Sequence, residues 1–307
     1  MKRSGFNIMT RLIGLVKPLA LYMILAIIMG LIGHLCASFI TIFGAVAVTK
    51  ALGSDIALSF GVITLCLIVF AVVRGLLRYA EQSCNHFIAF KLLALIRDKV
   101  FFALRRLCPA KLEGRDKGDL ISVITSDIEL LEVFYAHTIS PIAIAVLFTL
   151  CICGFLFFYS PVFALIALLA HFTVGVIIPL FISKMSGDDG QKFRDKSGNI
   201  SSFILDSLRG LNEIIQYGVG KSRLKKMTEL TKDVSVDEER MKKITGRNIA
   251  LTNSVILIFD LTMLFTAVYL YTKGNVDFKG VLISTVTLIS SFGPAVALAN
   301  LGSTLQN

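Results

Sequence analysis

The sequence predicts an all-α membrane protein with six transmembrane helices and long cytoplasmic helical extensions. Fifty-five per cent of its 307 residues are apolar and only 17% are charged. Its mean hydropathy of +0.77 is too high for an ordinary soluble domain. Six apolar runs are long enough to cross about 30 Å of hydrocarbon. They cover residues 19–48, 57–73, 139–158, 162–183, 249–272 and 280–302, and we expect residues 1–307 to form a single transmembrane domain.

The N-terminal residues 1–18 are predicted to form an elbow before the first span. Residues 6–16 are amphipathic and precede Pro18, which suits a short segment lying in the membrane interface. The first apolar run continues to Val48, well beyond the core of a cleaved signal peptide. We therefore expect an uncleaved membrane helix.

The distribution of basic residues predicts the orientation of the spans. Residues 1–18 hold four Lys or Arg, residues 74–138 hold ten and residues 184–248 hold fourteen, whereas the remaining connections hold three. Such a bias marks the cytoplasmic side of a membrane protein. We expect a multi-pass protein of the cell (inner or plasma) membrane with both termini in the cytoplasm. The net charge of +10 is then an orientation signal, and no nucleic-acid partner is expected.

The two polar insertions, 74–138 and 184–248, are predicted to be cytoplasmic arms, each made of two long helices joined by a turn. In the first arm, apolar residues recur at every fourth position from Ile88 to Leu104, as on the packed face of a helix. Arms of about 30 residues reach about 45 Å beyond the bilayer at 1.5 Å per residue. Such arms are suited to meeting a cytoplasmic partner.

The second arm contains a Gly-Lys-Ser sequence at 220–222 that resembles the end of a nucleotide-binding P-loop. A P-loop needs a glycine five positions before its Gly-Lys pair, and Ile215 stands there. The preceding stretch has the spacing of an amphipathic helix and not of a strand. We therefore interpret Gly218 and Gly220 as breakers at an exposed, lysine-rich arm tip. Pro109 and Gly114 break the first arm in the same way.

The six cysteines indicate neither a disulfide framework nor a metal site. Four lie inside apolar spans, and none lies in the short outer turns, so packing as small apolar residues is expected. They are Cys36, Cys66, Cys84, Cys108, Cys151 and Cys153.

Asp260, His34 and His171 are the candidate substrate-cavity residues. A carboxylate in the middle of the fifth span is costly unless it faces a water-filled cavity or a partner. The two histidines also suit hydrogen bonding between helices, and small residues around His34 indicate a close helix contact there. Together the three residues would line a cavity for a cationic or zwitterionic solute. Arg78 and Glu81, where the second span leaves the bilayer, are predicted to pair at i,i+3.

Three stretches of the sequence carry a specific resemblance to a known family. They are "GDLISVITSDIELLEVFYAHTISP", "DSLRGLNEIIQYG" and "ISSFGPAVALANLGSTLQ". With six spans, a basic elbow and paired arms, they resemble the transmembrane domain of ATP-binding-cassette (ABC) exporters over essentially the whole chain. Val123 departs from the pattern, because the family often has arginine there. The resemblance implies the ABC exporter transmembrane-domain fold but says almost nothing about substrate.

The resemblance implies the function of a permease, which forms the substrate pathway and couples to ATPase domains by alternating access, with export expected. Its partners would be a nucleotide-binding domain carrying Mg-ATP, a second transmembrane subunit in a homodimer or heterodimer, and the lipid bilayer. The arm tips would be coupling helices. The implied coupling residues are Lys117, Gly118, Asp119, Leu120, Ile121, Ser122, Gln216, Tyr217, Gly218, Val219, Gly220, Lys221, Ser222 and Arg223.

The ATPase domain that usually follows the sixth span in this family is absent from these 307 residues. We expect either a truncated form of a longer protein or a natural half with a separate ATPase. The chain alone is expected to have no catalytic residues, no cofactor and no ATP hydrolysis.

Two other function classes compete with this interpretation. A proton-coupled secondary transporter or channel would use Asp260 and the intramembrane histidines for proton movement, but it gives no reason for two arms of equal length. A membrane-embedded enzyme is disfavoured because the sequence contains no His-Glu-x-x-His or Gly-x-Ser-x-Gly motif.

Overall fold

The computed structural model describes residues 17–108, 138–186 and 189–304, and within them the chain is helical without a β-strand. Most of the predicted elbow and the whole tip of the first arm lie outside the described residues. The predicted coupling residues Lys117, Gly118, Asp119, Leu120, Ile121 and Ser122 belong to that undescribed part.

Ten α-helices make up the described part of the chain. A 3₁₀ turn, Lys17–Leu19, leads into the first of them. In chain order they are α1 Ala20–Ala51, α2 Phe60–Leu107, α3 Ser140–Phe157, α4 Pro161–Phe172, α5 Ile178–Ser186, α6 Asp189–Arg209, α7 Leu211–Gln216, α8 Gly220–Thr272, α9 Phe278–Ser291 and α10 Gly293–Thr304.

Six segments of the described chain are long and apolar enough to cross a membrane, which confirms the predicted fold class. They are Lys17–Ala51, Phe60–Leu107, Ser140–Phe157, Pro161–Lys184, Gly220–Thr272 and Phe278–Asn300. The fourth consists of α4, a π-helical turn at Thr173–Ile177 and α5. The sixth consists of α9 and α10, interrupted at Phe292, directly before Gly293 and Pro294.

The helices α2 and α8 each carry a span and an arm without interruption. They contain 48 and 53 residues, which correspond to lengths of about 70 and 80 Å. Both therefore extend about 40–50 Å beyond a hydrocarbon layer about 30 Å thick. This confirms the predicted long helical extensions.

Short capped turns connect the spans at the end opposite the arms. The side chains of Ser59, Ser160 and Asp277 accept hydrogen bonds from backbone N–H groups at the starts of α2, α4 and α9, as N-cap residues do. Gly53 and Gly274 follow α1 and α8 with φ of 89° and 75°, a conformation that glycine adopts without strain. These local signals stop and restart the helices within a few residues.

The main core lies among the third, fourth, fifth and sixth spans. Its fully buried side chains include Phe148, Leu156, Phe163, Met263 and Leu288. A smaller buried cluster joins the start of α1, at Met23, to the middle of α2, at Ile88 and Leu92. In the most apolar stretch of the sixth span 56% of the residues are buried, whereas in that of the second span 6% are buried. The sixth span is therefore central and the second is peripheral.

Candidate functional site

The second arm turns at its far end over the short helix α7. The helix α6 ends at Arg209, and Gly210 separates it from α7. After α7 the chain reverses at Gly218, whose φ is +63°, and α8 begins at Gly220. The 29 residues from Gly220 to Asn248 place this tip about 43 Å from the start of the predicted fifth span.

The predicted coupling residues of the second arm all lie in or beside this turn. Gln216 is the last residue of α7, the three residues that follow it form the turn, and the first residues of α8 complete the set. The helical spacing from Ile204 to Ile215 predicted one helix, whereas the structure contains two. The first helix ends before Gly210, although the apolar spacing continues past that residue.

The Gly-Lys-Ser sequence lies in the first turn of α8 and follows the helix α7 and its turn. A P-loop connects a strand to a helix, and the described residues before Gly220 form no strand. The structure therefore agrees with the interpretation of this sequence as an arm tip.

Ion pairs tie the two helices of the second arm together at two levels. Near the tip, Arg223 Nη2 lies 2.9 Å from Asp206 Oδ2, and its guanidinium lies 4.7 Å from the ring centre of Phe203. Farther from the tip, Lys196 Nζ lies 2.5 Å from Asp237 Oδ2, and the hydrogen bond to Asp237 raises the pKa of Lys196. These contacts join α6 to the arm part of α8, which runs antiparallel to it, near the tip and farther along the arm.

Large apolar side chains are exposed around the same turn. The exposed fractions are 64% for Leu208, 70% for Ile215, 75% for Tyr217 and 62% for Leu224. Exposed apolar residues grouped on one surface indicate contact with another protein. We call these four residues, together with Lys221 and Arg223 at the start of α8, the tip surface.

Asp260 lies in the membrane-spanning part of α8, about 18 Å from the C-terminal end of that helix at Thr272. It is half-buried, and Met263 and Ala267, one and two turns farther along the same face, are fully buried. Its Oδ1 atom is shielded from solvent and has no hydrogen-bond partner among the described residues. The carboxylate therefore faces the helix bundle with unused acceptor capacity.

The two histidines both lie beside the interruption of the sixth span. His171 Nε2 is 2.9 Å from Ser291 Oγ, and its ring meets that of Phe292 edge-on at 5.4 Å. The His34 ring packs on Phe148 at 5.9 Å. Within the described chain, neither histidine forms a hydrogen bond or ion pair with Asp260, so the three predicted cavity residues do not form one bonded cluster.

The predicted pair between Arg78 and Glu81 is present, with Arg78 Nη1 2.7 Å from Glu81 Oε2. The Arg78 side chain is 55% exposed, whereas that of Glu81 is 4% exposed. Glu81 lies between the first and third spans. Gly30 has no side chain and therefore leaves room for the Glu81 carboxyl group beside Ile144. The pair therefore joins a partly exposed arginine to a buried carboxylate.

Comparison with known proteins adds a family match and several relatives. The family described as "ABC transporter transmembrane region" matches residues 19–294. The chain is 45% identical over 306 residues to a "Probable ABC transporter ATP-binding/permease protein" of Haemophilus influenzae, covering 99% of this chain and 55% of that protein.

Two more distant relatives have names that state what they move. One is the "Glutathione/L-cysteine transport system ATP-binding/permease protein CydC" of Haemophilus influenzae, 24% identical over 68% of this chain and 35% of its own length. The other is "ATP-dependent lipid A-core flippase 1" of Colwellia psychrerythraea, 23% identical over 79% of this chain and 40% of its own length. The chain therefore spans between about a third and about half of the curated relatives that it matches.

Proposed function

This chain belongs to the family of ABC transporter transmembrane regions, and we propose from that membership that it forms the substrate pathway of an ATP-driven exporter. The observation that carries the proposal is the pair of continuous helices α2 and α8, which extend from the membrane span into an arm. A helix without interruption transmits a displacement at one end to the other. ATP binding in an ATPase domain docked at the arm tips would thus change the packing of the spans, as in other rigid-body transitions.

The partners follow from the same arrangement. An ATPase domain carrying Mg-ATP would dock on the tip surface, and a second transmembrane subunit, identical or different, would cover the exposed apolar faces of the second and fifth spans. The basic arms would lie in the cytoplasm. All ATP chemistry would belong to the ATPase domain, and this chain would contribute binding of the transported solute and movement.

We expect Gly218→Ala to lower ATP turnover of the complete transporter about five- to tenfold, with little change in the KM for ATP. A side chain in the left-handed conformation costs about 1–2 kcal/mol, so the turn would open and displace the tip surface from the ATPase domain. The measurement is steady-state ATP hydrolysis by the purified, membrane-reconstituted protein.

Gly198→Ala in α6 is the matched control for this experiment. A β-carbon at Gly198 meets nothing within 4 Å, and its backbone is not left-handed. Its turnover should equal that of the wild type. Equal turnover of Gly218→Ala and the wild type would contradict a coupling role for the second tip.

We propose Asp260 as the residue of the pathway that recognises positive charge on the solute. Asp260→Asn keeps the shape of the side chain and removes its charge. A hydrogen bond to a charged group contributes about 1.5–3 kcal/mol, so stimulation of ATP turnover by amine-containing solutes should require about ten- to hundredfold higher concentrations.

The control for Asp260 is Thr262→Ala on the same helix, since the hydroxyl of Thr262 bonds the carbonyl of Ile258 in its own helix. The measurement is the concentration dependence of ATP turnover with a panel of cationic, zwitterionic and anionic solutes. An unchanged response of Asp260→Asn to every cationic and zwitterionic solute would remove the assignment.

A further inference from the structure

The sixth span has a built-in joint near the middle of its length. The helix α9 ends at Ser291, and α10 begins at Gly293. Pro294 has no N–H to donate, so the helical hydrogen bond to the carbonyl four residues earlier is lost. The joint lies about 20 Å from the start of α9 at Phe278, within the depth of the hydrocarbon layer.

The fourth span is irregular at the same place. Its π-helical turn, Thr173–Ile177, begins two residues after His171, and such turns bend a helix and are frequent at functional sites. A β-carbon placed on Gly175 would lie 3.6 Å from Leu298 and 3.8 Å from Ala295. The irregular turn of the fourth span thus packs directly on α10, the half of the sixth span beyond its joint.

A buried hydrogen bond connects the two irregular segments. Ser291 Oγ lies 2.7 Å from the Leu288 carbonyl, to which it donates its only proton. The same oxygen must therefore accept the bond from His171, whose Nε2–H donates at 2.9 Å. His171 is 4% exposed and Ser291 is 1% exposed, so water does not compete for this bond.

The first span also comes close to the joint. A β-carbon at Gly293 would lie 3.7 Å from His34 Nδ1, and the His34 ring rests on Phe148 of the third span. Two histidine rings therefore lie near the joint, and that of His171 is hydrogen-bonded to it.

We propose that His171 is a positioning residue for transport, and that its bond to Ser291 makes the bends of the fourth and sixth spans move together. This inference rests on the proposed function, since it assigns a route by which movement of the arms reaches the pathway. The fourth span ends at Ser186, and α6 of the second arm begins at Asp189. The sixth span is the most buried of the six. One bond between their bends couples the two.

The test is a double-mutant cycle in the complete, membrane-reconstituted transporter. Ser291→Ala and His171→Ala each remove the hydrogen bond. In the double variant the second substitution has no bond left to remove, so the two effects should not multiply. A net hydrogen bond corresponds to about a two- to tenfold effect on an equilibrium. We expect each single variant to lower ATP turnover by about three- to tenfold at unchanged KM for ATP, and the double variant to be no slower than the slower single variant.

Two further variants separate positioning from mere packing. His171→Gln places an amide nitrogen near the position of Nε2 and should recover at least half of the lost turnover. Ser290→Ala removes the neighbouring hydroxyl, which bonds Thr287 in its own helix, and should behave as the wild type. Apparent melting temperatures of all variants, measured in parallel, should not follow the order of the turnovers.

Each other outcome overturns the inference. Independent, multiplying effects of Ser291→Ala and His171→Ala, equal loss in Ser290→Ala, or no recovery in His171→Gln would show that the bond is not the connection. If Gly218→Ala lowers turnover while Ser291→Ala does not, the inference fails and the proposed function stands. A wild-type transporter that does not hydrolyse ATP would overturn both.

Discussion

Replacement of Arg78 by leucine is expected to lower the apparent melting temperature of the complete transporter by several degrees. The substitution leaves the Glu81 carboxylate, 4% exposed, without its partner among three packed spans. Breaking a fully buried ion pair costs about 3–5 kcal/mol. Because Arg78 is 55% exposed, solvent already screens the pair, and we expect about 2 kcal/mol.

The double replacement Arg78→Leu with Glu81→Met should recover most of that stability, since it removes the uncompensated charge together with the arginine. Lys242→Ala is the control: its pair with Glu238 lies on an exposed face of α8 and should contribute less than about 1 kcal/mol. Thermal unfolding in detergent measures all of these. Equal melting temperatures for Arg78→Leu and Lys242→Ala would contradict the buried placement of Glu81.

Gly30→Ala is expected to destabilise the packing of the first three spans by about 1–3 kcal/mol. A β-carbon at Gly30 would overlap the end of the Ile144 side chain and lie 3.0 Å from the carboxyl carbon of Glu81. Ile144 is 2% exposed, so it has little space into which it can turn. The melting temperature should therefore fall.

Gly44 lies on the same helix, and a β-carbon there meets nothing within 4 Å. Gly44→Ala should keep or raise the melting temperature, because alanine favours a helix over glycine by about 1 kcal/mol. Similar effects of the two substitutions would show that the close contact at Gly30 does not exist in the membrane.

The architecture could be predicted from the sequence because hydrophobicity and periodicity are local signals. An apolar run must cross the membrane as a helix, since its backbone polar groups have no other partners in lipid. The regular spacing of Ile88 to Leu104 likewise predicts the helical continuation that α2 contains. The six apolar spans and their helical extensions follow from these signals.

The site depended on contacts that local signals do not contain. The burial of Glu81 results from the space left by Gly30 on another helix, and the bond between His171 and Ser291 joins residues 120 positions apart. The π-helical turn after His171 ends two residues before Pro179. Proline has no N–H to donate to the carbonyl of Gly175 within that turn, so this irregularity does have a local signal in the sequence. The apolar spacing from Ile204 to Ile215 continues across Gly210, so it gives no sign that α6 ends at Arg209.

The tip of the second arm is proposed to carry force from an ATPase domain. Site-specific photo-cross-linking in the complete transporter tests it most directly, with a benzophenone amino acid in place of Tyr217, which is 75% exposed. The control position is Phe158, 89% exposed, in the turn at the opposite end of the spans. The account predicts a cross-link from position 217 to the ATP-binding part, with a yield that changes when ATP is added, and none from position 158. A cross-link to the ATP-binding part from position 158, or none from position 217, would contradict it.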